Sequence, residues 1–130
     1  MISSLEHSVV KVIDDDEAVC DSICALLESF DIPALPFTSA RRALVEIVWH
    51  TAGCLVVDHH MPEMTGLEFL KTIRERQILT PLILMSAAAD PTLDQRARIA
   101  GAMAVLSKPI GDGELLDLVR RAMTASHATP

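Results

Sequence analysis

Five times along the chain, a short apolar run rich in β-branched residues stops at a polar residue and gives way to apolar residues at helical spacing. The first run, Val9–Ile13, ends at three consecutive aspartates, after which Val19, Ile23, Leu26, Leu27 and Phe30 recur with a helical period. A weaker run at 32–37 carries Pro33 and Pro36. Proline donates nothing to a ladder, so this strand is expected at a sheet edge. Ala40, Ala43, Leu44, Ile47 and Val48 mark a second helix, with Trp49 near its end at the pole away from Asp58. The run at 54–57 is continuously apolar, as a strand covered on both faces requires, and it stops at Asp58.

The pattern then repeats twice more. Phe69, Leu70 and Ile73 define a third helix entered through Thr65 and Gly66. The run at 82–85 ends at Ser86. It is followed by a helix from about Pro91 to Ala100, with proline in its first turn and Gly101 to close it. The run at 104–106 leads into Ser107, Lys108 and Pro109, and Leu115, Leu118, Val119 and Ala122 make the last helix. Five strand–helix units with short connections imply an α/β fold: a parallel sheet, helices on both faces, right-handed crossovers.

A chain of 130 residues, half of them hydrophobic, suits one domain with a real core. The packed part is expected at about 8–124, with 125–130 a tail or the stub of a linker. The net charge of −7 speaks against direct binding of nucleic acid or of an anionic membrane surface. No segment reaches the roughly 20 apolar residues of a membrane span. Cys20, Cys24 and Cys54 are an odd number, which excludes a complete disulfide framework; buried thiols in a reducing cytoplasm are expected.

In a sheet of this kind ligands bind beyond the carboxyl ends of the strands, where strand order reverses. The first strand delivers Asp14 and Asp15 there, the third Asp58, the fourth Ser86 and the fifth Lys108. Three carboxylates brought together repel one another unless a cation intervenes. Mg²⁺ (or Mn²⁺) suits them, as a hard ion that takes a few carboxylates, water and phosphate oxygens. Lys108 offers fixed positive charge and Ser86 a hydroxyl, a set able to hold the equatorial oxygens of a phosphoryl group. A carboxylate is also a competent nucleophile for forming an aspartyl phosphate, so phosphoryl transfer is the expected chemistry. Asp16 is expected to cap the first helix rather than to bind metal.

The runs VIDDDEAV, LVVDHHMPEMTGLEFL, LILMSA and LSKPI closely resemble the signatures of response-regulator receiver domains, over roughly residues 8–124. The resemblance implies a single (βα)5 flavodoxin-like domain with strand order 2-1-3-4-5. It implies Asp58 as phosphoacceptor and Asp15 as a direct metal ligand. Asp14 would act through metal-bound water, and the backbone carbonyl of His60 would complete the protein ligands. Ser86 and the Ala87 N–H would contact the phosphoryl group and Lys108 would pair with it. The Lys108–Pro109 bond is expected to be cis. A sensor histidine kinase or phosphotransfer protein would be the donor, with a second copy of the chain a further candidate partner.

Two departures stand out. Receivers commonly carry an aromatic residue three positions before the lysine, where its rotamer couples to the hydroxyl residue; here that switch position is Val105. Signalling through the loops after Ser86 and Lys108 is expected instead. His59 and His60 follow the phosphoacceptor, and His60 is expected at the rim, tuning water access together with Ala88. A transition-metal site of Asp58, His59 and His60 is a weaker reading, because adjacent side chains point apart.

Two other functions compete with this one. A receiver fold whose switch has decayed would serve as a phosphorylation-independent binding module; Val105 favours it, while the acid set, Ser86 and Lys108 oppose it. A phosphatase of the haloacid dehalogenase type needs a second aspartate two residues after the nucleophile, where this chain has His60.

Overall fold

A computed structural model describes residues 8–87 and 90–128, the side chains of 125–128 aside. Strands β1 (Val9–Ile13), β2 (Ala34–Phe37), β3 (Ala52–Asp58), β4 (Leu82–Ser86) and β5 (Ala104–Ser107) alternate with five helices. These are α1 (Glu17–Ser29), α2 (Ala40–Glu46), α3 (Gly66–Glu75), α4 (Pro91–Ala100) and α5 (Asp112–Ala128). The strands form one parallel sheet in the order β2-β1-β3-β4-β5, the flavodoxin-like arrangement expected. Proline-bearing β2 is an edge strand, as its missing donors require.

The two faces of the sheet build two apolar layers. Leu55, Val57, Leu82 and Leu84 pack against α2, α3 and α4 through residues such as Ala43, Phe69 and Ala97. Val10, Val12, Cys54, Val56, Ile83 and Met85 pack against α1 and α5 through Cys24, Leu27, Leu115 and Val119. Being sandwiched explains why every residue of β3 is buried. Each fully buried leucine or isoleucine in these layers stabilises the fold by about 2 kcal/mol relative to exposure.

Local chemistry sets the boundaries. Asp16 caps α1, its carboxylate accepting from the N–H groups of Ala18 and Val19. Thr65 and Glu68 form a reciprocal capping box at the start of α3, and Gly101, at φ 105°, closes α4. Strand β2 begins at Ala34 rather than at 32, because the Ile32 N–H is taken by the Leu27 carbonyl that closes α1. Helix α2 ends at Glu46, before the β-branched pair Ile47 and Val48. Trp49 therefore lies not at the end of that helix but in a 3-10 turn, Trp49–Thr51, tilted against Phe69 at 6.5 Å. Helix α5 continues to Ala128, past the Ala125 at which a tail was expected.

Among the described residues no helix is long and apolar enough to cross a membrane. All three cysteines are free and buried. Lys11 is also buried, in the middle of β1, with its ammonium donating to the Thr51 hydroxyl at 3.1 Å.

Candidate functional site

Register brings the acids together. Ile13 pairs with Val57 across β1 and β3, so the next residues, Asp14 and Asp58, emerge side by side at the carboxyl edge. The reversal of strand order between β1 and β3 opens the crevice there. Asp58 pairs with Met85, placing Ser86 one step beyond on β4, and Ser86 pairs with Ser107, which places Lys108 next on the neighbouring segment. The Lys108–Pro109 peptide is cis.

Asp14 and Asp58 are both buried, while Asp15 is exposed. One carboxylate oxygen from each lies within 4.8 Å of the others. Asp14 Oδ1 accepts from the Asp16 N–H at 2.9 Å, and its Oδ2 accepts from Lys108 Nζ at 3.3 Å. Lys108 Nζ also lies 3.2 Å from Asp58 Oδ1. That oxygen is buried and meets the ammonium as an ion pair, with no well-formed hydrogen bond among the described residues. A buried carboxylate oxygen without a formed hydrogen bond is rare because its desolvation costs free energy. Three carboxylates thus face a single ammonium, an imbalance that a divalent cation would relieve.

The electrostatics carry the same message. Burial, with the neighbouring charge of Asp58, pushes the Asp14 carboxyl above the usual carboxylate range, despite the Asp16 N–H and Lys108. Burial alone would lower the Lys108 ammonium; Asp14 and Asp58 outweigh it and hold it above its usual value. The hard oxygen donors of Asp14, Asp15 and Asp58, with Asp58 Oδ1 making no formed hydrogen bond among the described residues, fit a small divalent cation.

Around this centre, His60 Nε2 sits 3.4 Å from Ser86 Oγ. His59 turns the other way, its Nδ1 accepting from the Leu67 N–H at 3.4 Å, and burial together with His60 lowers its basicity. Among the described residues the histidines belong to no metal-ligand cluster, so the transition-metal reading has no geometric support. Ala87 follows β4 and is exposed; Ala88 lies outside the described residues. Val105 is partly buried and lines, with Ser86, Leu93 and Ser107, a cleft of about 320 Å³.

Some features escaped the sequence reading. The Cys20 thiol donates to the Asp14 carbonyl at 3.2 Å, and burial beside the Asp14 charge pushes it up to about 11, so it stays protonated at neutral pH. Gly66 lets α3 approach the site: a Cβ there would lie 2.6 Å from the Asp58 carbonyl oxygen. Neither a thiol's partner nor a close backbone approach leaves a periodic signature.

A family model described as the response regulator receiver domain matches residues 10–120. The chain is 38% identical over 121 residues to the transcriptional regulatory protein FixJ of Azorhizobium caulinodans, covering 93% of this chain and 57% of that protein. It is 34% identical over 116 residues to the response regulator protein TodT of Pseudomonas putida, covering 89% of this chain and 51% of that one. The chain thus spans about half the length of the curated relatives it matches. Its fold superposes on the receiver domain of the Francisella response regulator 1452 with a TM-score of 0.86 at 27% identity, covering 92% of this chain and 98% of that one.

Proposed function

The chain belongs to the response regulator receiver domain family, and on that premise we propose that Asp58 accepts a phosphoryl group from a sensor histidine kinase or phosphotransfer protein. Receiver domains of response regulators are signalling modules. The supporting observation is the convergence of Asp14, Asp15 and Asp58, with the buried Asp58 Oδ1 held only as an ion pair by Lys108 among the described residues.

Asp15 and Asp58 would hold Mg²⁺ directly together with the His60 backbone carbonyl, and Asp14 would hold it through water. The ion supplies charge that lets an anionic phosphoryl group approach an acidic site. Asp58 forms the new P–O bond as the donor's P–N bond breaks and its electron pair leaves with the donor imidazole. Lys108, freed from its pairing with Asp58, turns its charge to the phosphoryl oxygens, and Ser86 and the Ala87 N–H donate to them. The modification adds a charge of about −2 and shifts an equilibrium between two conformations, the means by which the domain would control an output. Because Val105 supplies no ring, the change passes through the loops that follow Ser86 and Lys108. The reaction is the domain's own modification, carried out in the cytoplasm.

A second reading, a receiver held in one state as a binding module, is favoured by Val105 and the cleft beside it. One experiment separates them: incubation with acetyl phosphate and Mg²⁺, then intact-mass measurement. The first reading predicts a gain of one phosphoryl group that needs Mg²⁺ and is lost in Asp58→Asn. An unchanged mass in the wild type contradicts it.

A further inference from the structure

The peptide joining Asp14 to Asp15 is fixed at its ends by the fold. The Asp14 N–H donates to the Phe37 carbonyl at 3.1 Å, and the Asp14 carboxylate accepts from the Asp16 N–H. The Asp14 carbonyl points into the interior, where its donor is the fully buried Cys20 thiol at 3.2 Å. The same sulfur lies 3.8 Å from the Val12 carbonyl and 3.7 Å from the Phe37 carbonyl. Carbonyls from the ends of two adjacent strands therefore converge on one S–H group at the first turn of α1.

We propose that Cys20 is a positioning residue for the cation site: its thiol fixes the plane of the Asp14–Asp15 peptide and so aims the Asp15 carboxylate. The inference rests on the reading of Asp14, Asp15 and Asp58 as a divalent-cation site. Asp15 is exposed, and its position depends on the backbone that carries it. Without a donor inside the core, the Asp14 carbonyl gains by rotating toward solvent, because a buried unpaired carbonyl is unfavourable. Rotation of that peptide swings the next Cα, and Asp15 with it. Cys20 touches neither cation nor phosphoryl group; it acts through the main chain.

Cys24 provides an internal control. It lies one turn further along α1, buried in the same apolar layer, and no hydrogen bond from its thiol is present among the described residues. The test is Mn²⁺ titration of the wild type and of Cys20→Val, Cys20→Ser and Cys24→Val, following free Mn²⁺ by electron paramagnetic resonance, with the metal-free melting temperature of each. Cys20→Val is expected to weaken Mn²⁺ binding about tenfold, as loss of a group that orients a ligand does. Cys20→Ser, which keeps a donor, restores affinity, and Cys24→Val leaves it at the wild-type value. Should Cys20→Val fail to fold, the comparison of Cys20→Ser with Cys24→Val decides: equally weakened binding would mean that packing of α1, not the hydrogen bond, sets the site. Wild-type affinity in folded Cys20→Val overturns the inference while leaving the cation site standing. A wild type that binds no Mn²⁺ removes the site itself, and the inference with it.

Discussion

Asp14 carries an electrostatic penalty in the folded, metal-free chain. Its folded-state pKa is raised, by burial first and the Asp58 charge next. Between 3.8 and that higher value the folded state binds more protons than the unfolded one, so stability falls as pH rises through this window and stays low above it. Asp14→Asn is therefore expected to be more stable than the metal-free wild type at neutral pH, by on the order of 1 kcal/mol. The advantage disappears below about pH 3.8, where Asp14 is protonated in both states. Urea melts across pH check both sign and window. Lys11 makes a parallel case with the opposite charge: burial lowers its ammonium below 10.5, a penalty present at neutral pH and relieved as pH rises toward that value. Lys11→Met should raise stability by about 1 kcal/mol at pH 7, with the gain shrinking as pH rises toward 10.5. Thr51 tolerates the loss, since its hydroxyl also donates to the Val48 carbonyl. A melting temperature unchanged or lowered at pH 7 would contradict this. Sequence alone gave no sign of Lys11 burial, because its partner lies forty residues away and a lysine within an apolar run reads equally well as exposed.

At the scale of elements, the start of α3 is the tightest junction of the site. A Cβ on Gly66 would meet Leu84 Cδ1 at 2.5 Å, the Asp58 carbonyl oxygen at 2.6 Å and His59 Cα at 2.9 Å. Two of these are backbone atoms that cannot swing aside. Gly66→Ala is expected to lose about 2 kcal/mol of stability through overpacking and to weaken divalent-cation binding by shifting Asp58. Chemical denaturation and Mn²⁺ titration read the two effects separately, and a variant as stable as wild type would refute the close approach. The elements themselves were largely legible. The edge position of β2 followed from Pro33 and Pro36, the burial of β3 from its unbroken apolar run, and the ends of α4 from Pro91 and Gly101. What escaped were boundaries decided by hydrogen bonds across elements, such as the Ile32 N–H drawn onto Leu27 and the early end of α2 that puts Trp49 in a separate turn.

For the whole molecule, strand order is what makes chemistry out of scattered residues. The residues Asp14, Asp58, Ser86 and Lys108 were each readable as the polar stop after an apolar run. Their convergence follows from the parallel register, which sets those stops at one edge. The side-chain detail around them was not readable: the Lys108 ammonium shared between Asp14 and Asp58 and the His60–Ser86 contact depend on rotamers that only packing selects. The most direct measurement is titration of the ¹⁵N-labelled chain with beryllofluoride and Mg²⁺, monitored by amide NMR, in the wild type and in Asp58→Asn. The account predicts saturable, Mg²⁺-dependent shifts centred on Asp58, Ser86, Ala87 and Lys108 in the wild type and none in the variant. Shifts that are absent from the wild type, or that persist in Asp58→Asn, would contradict it.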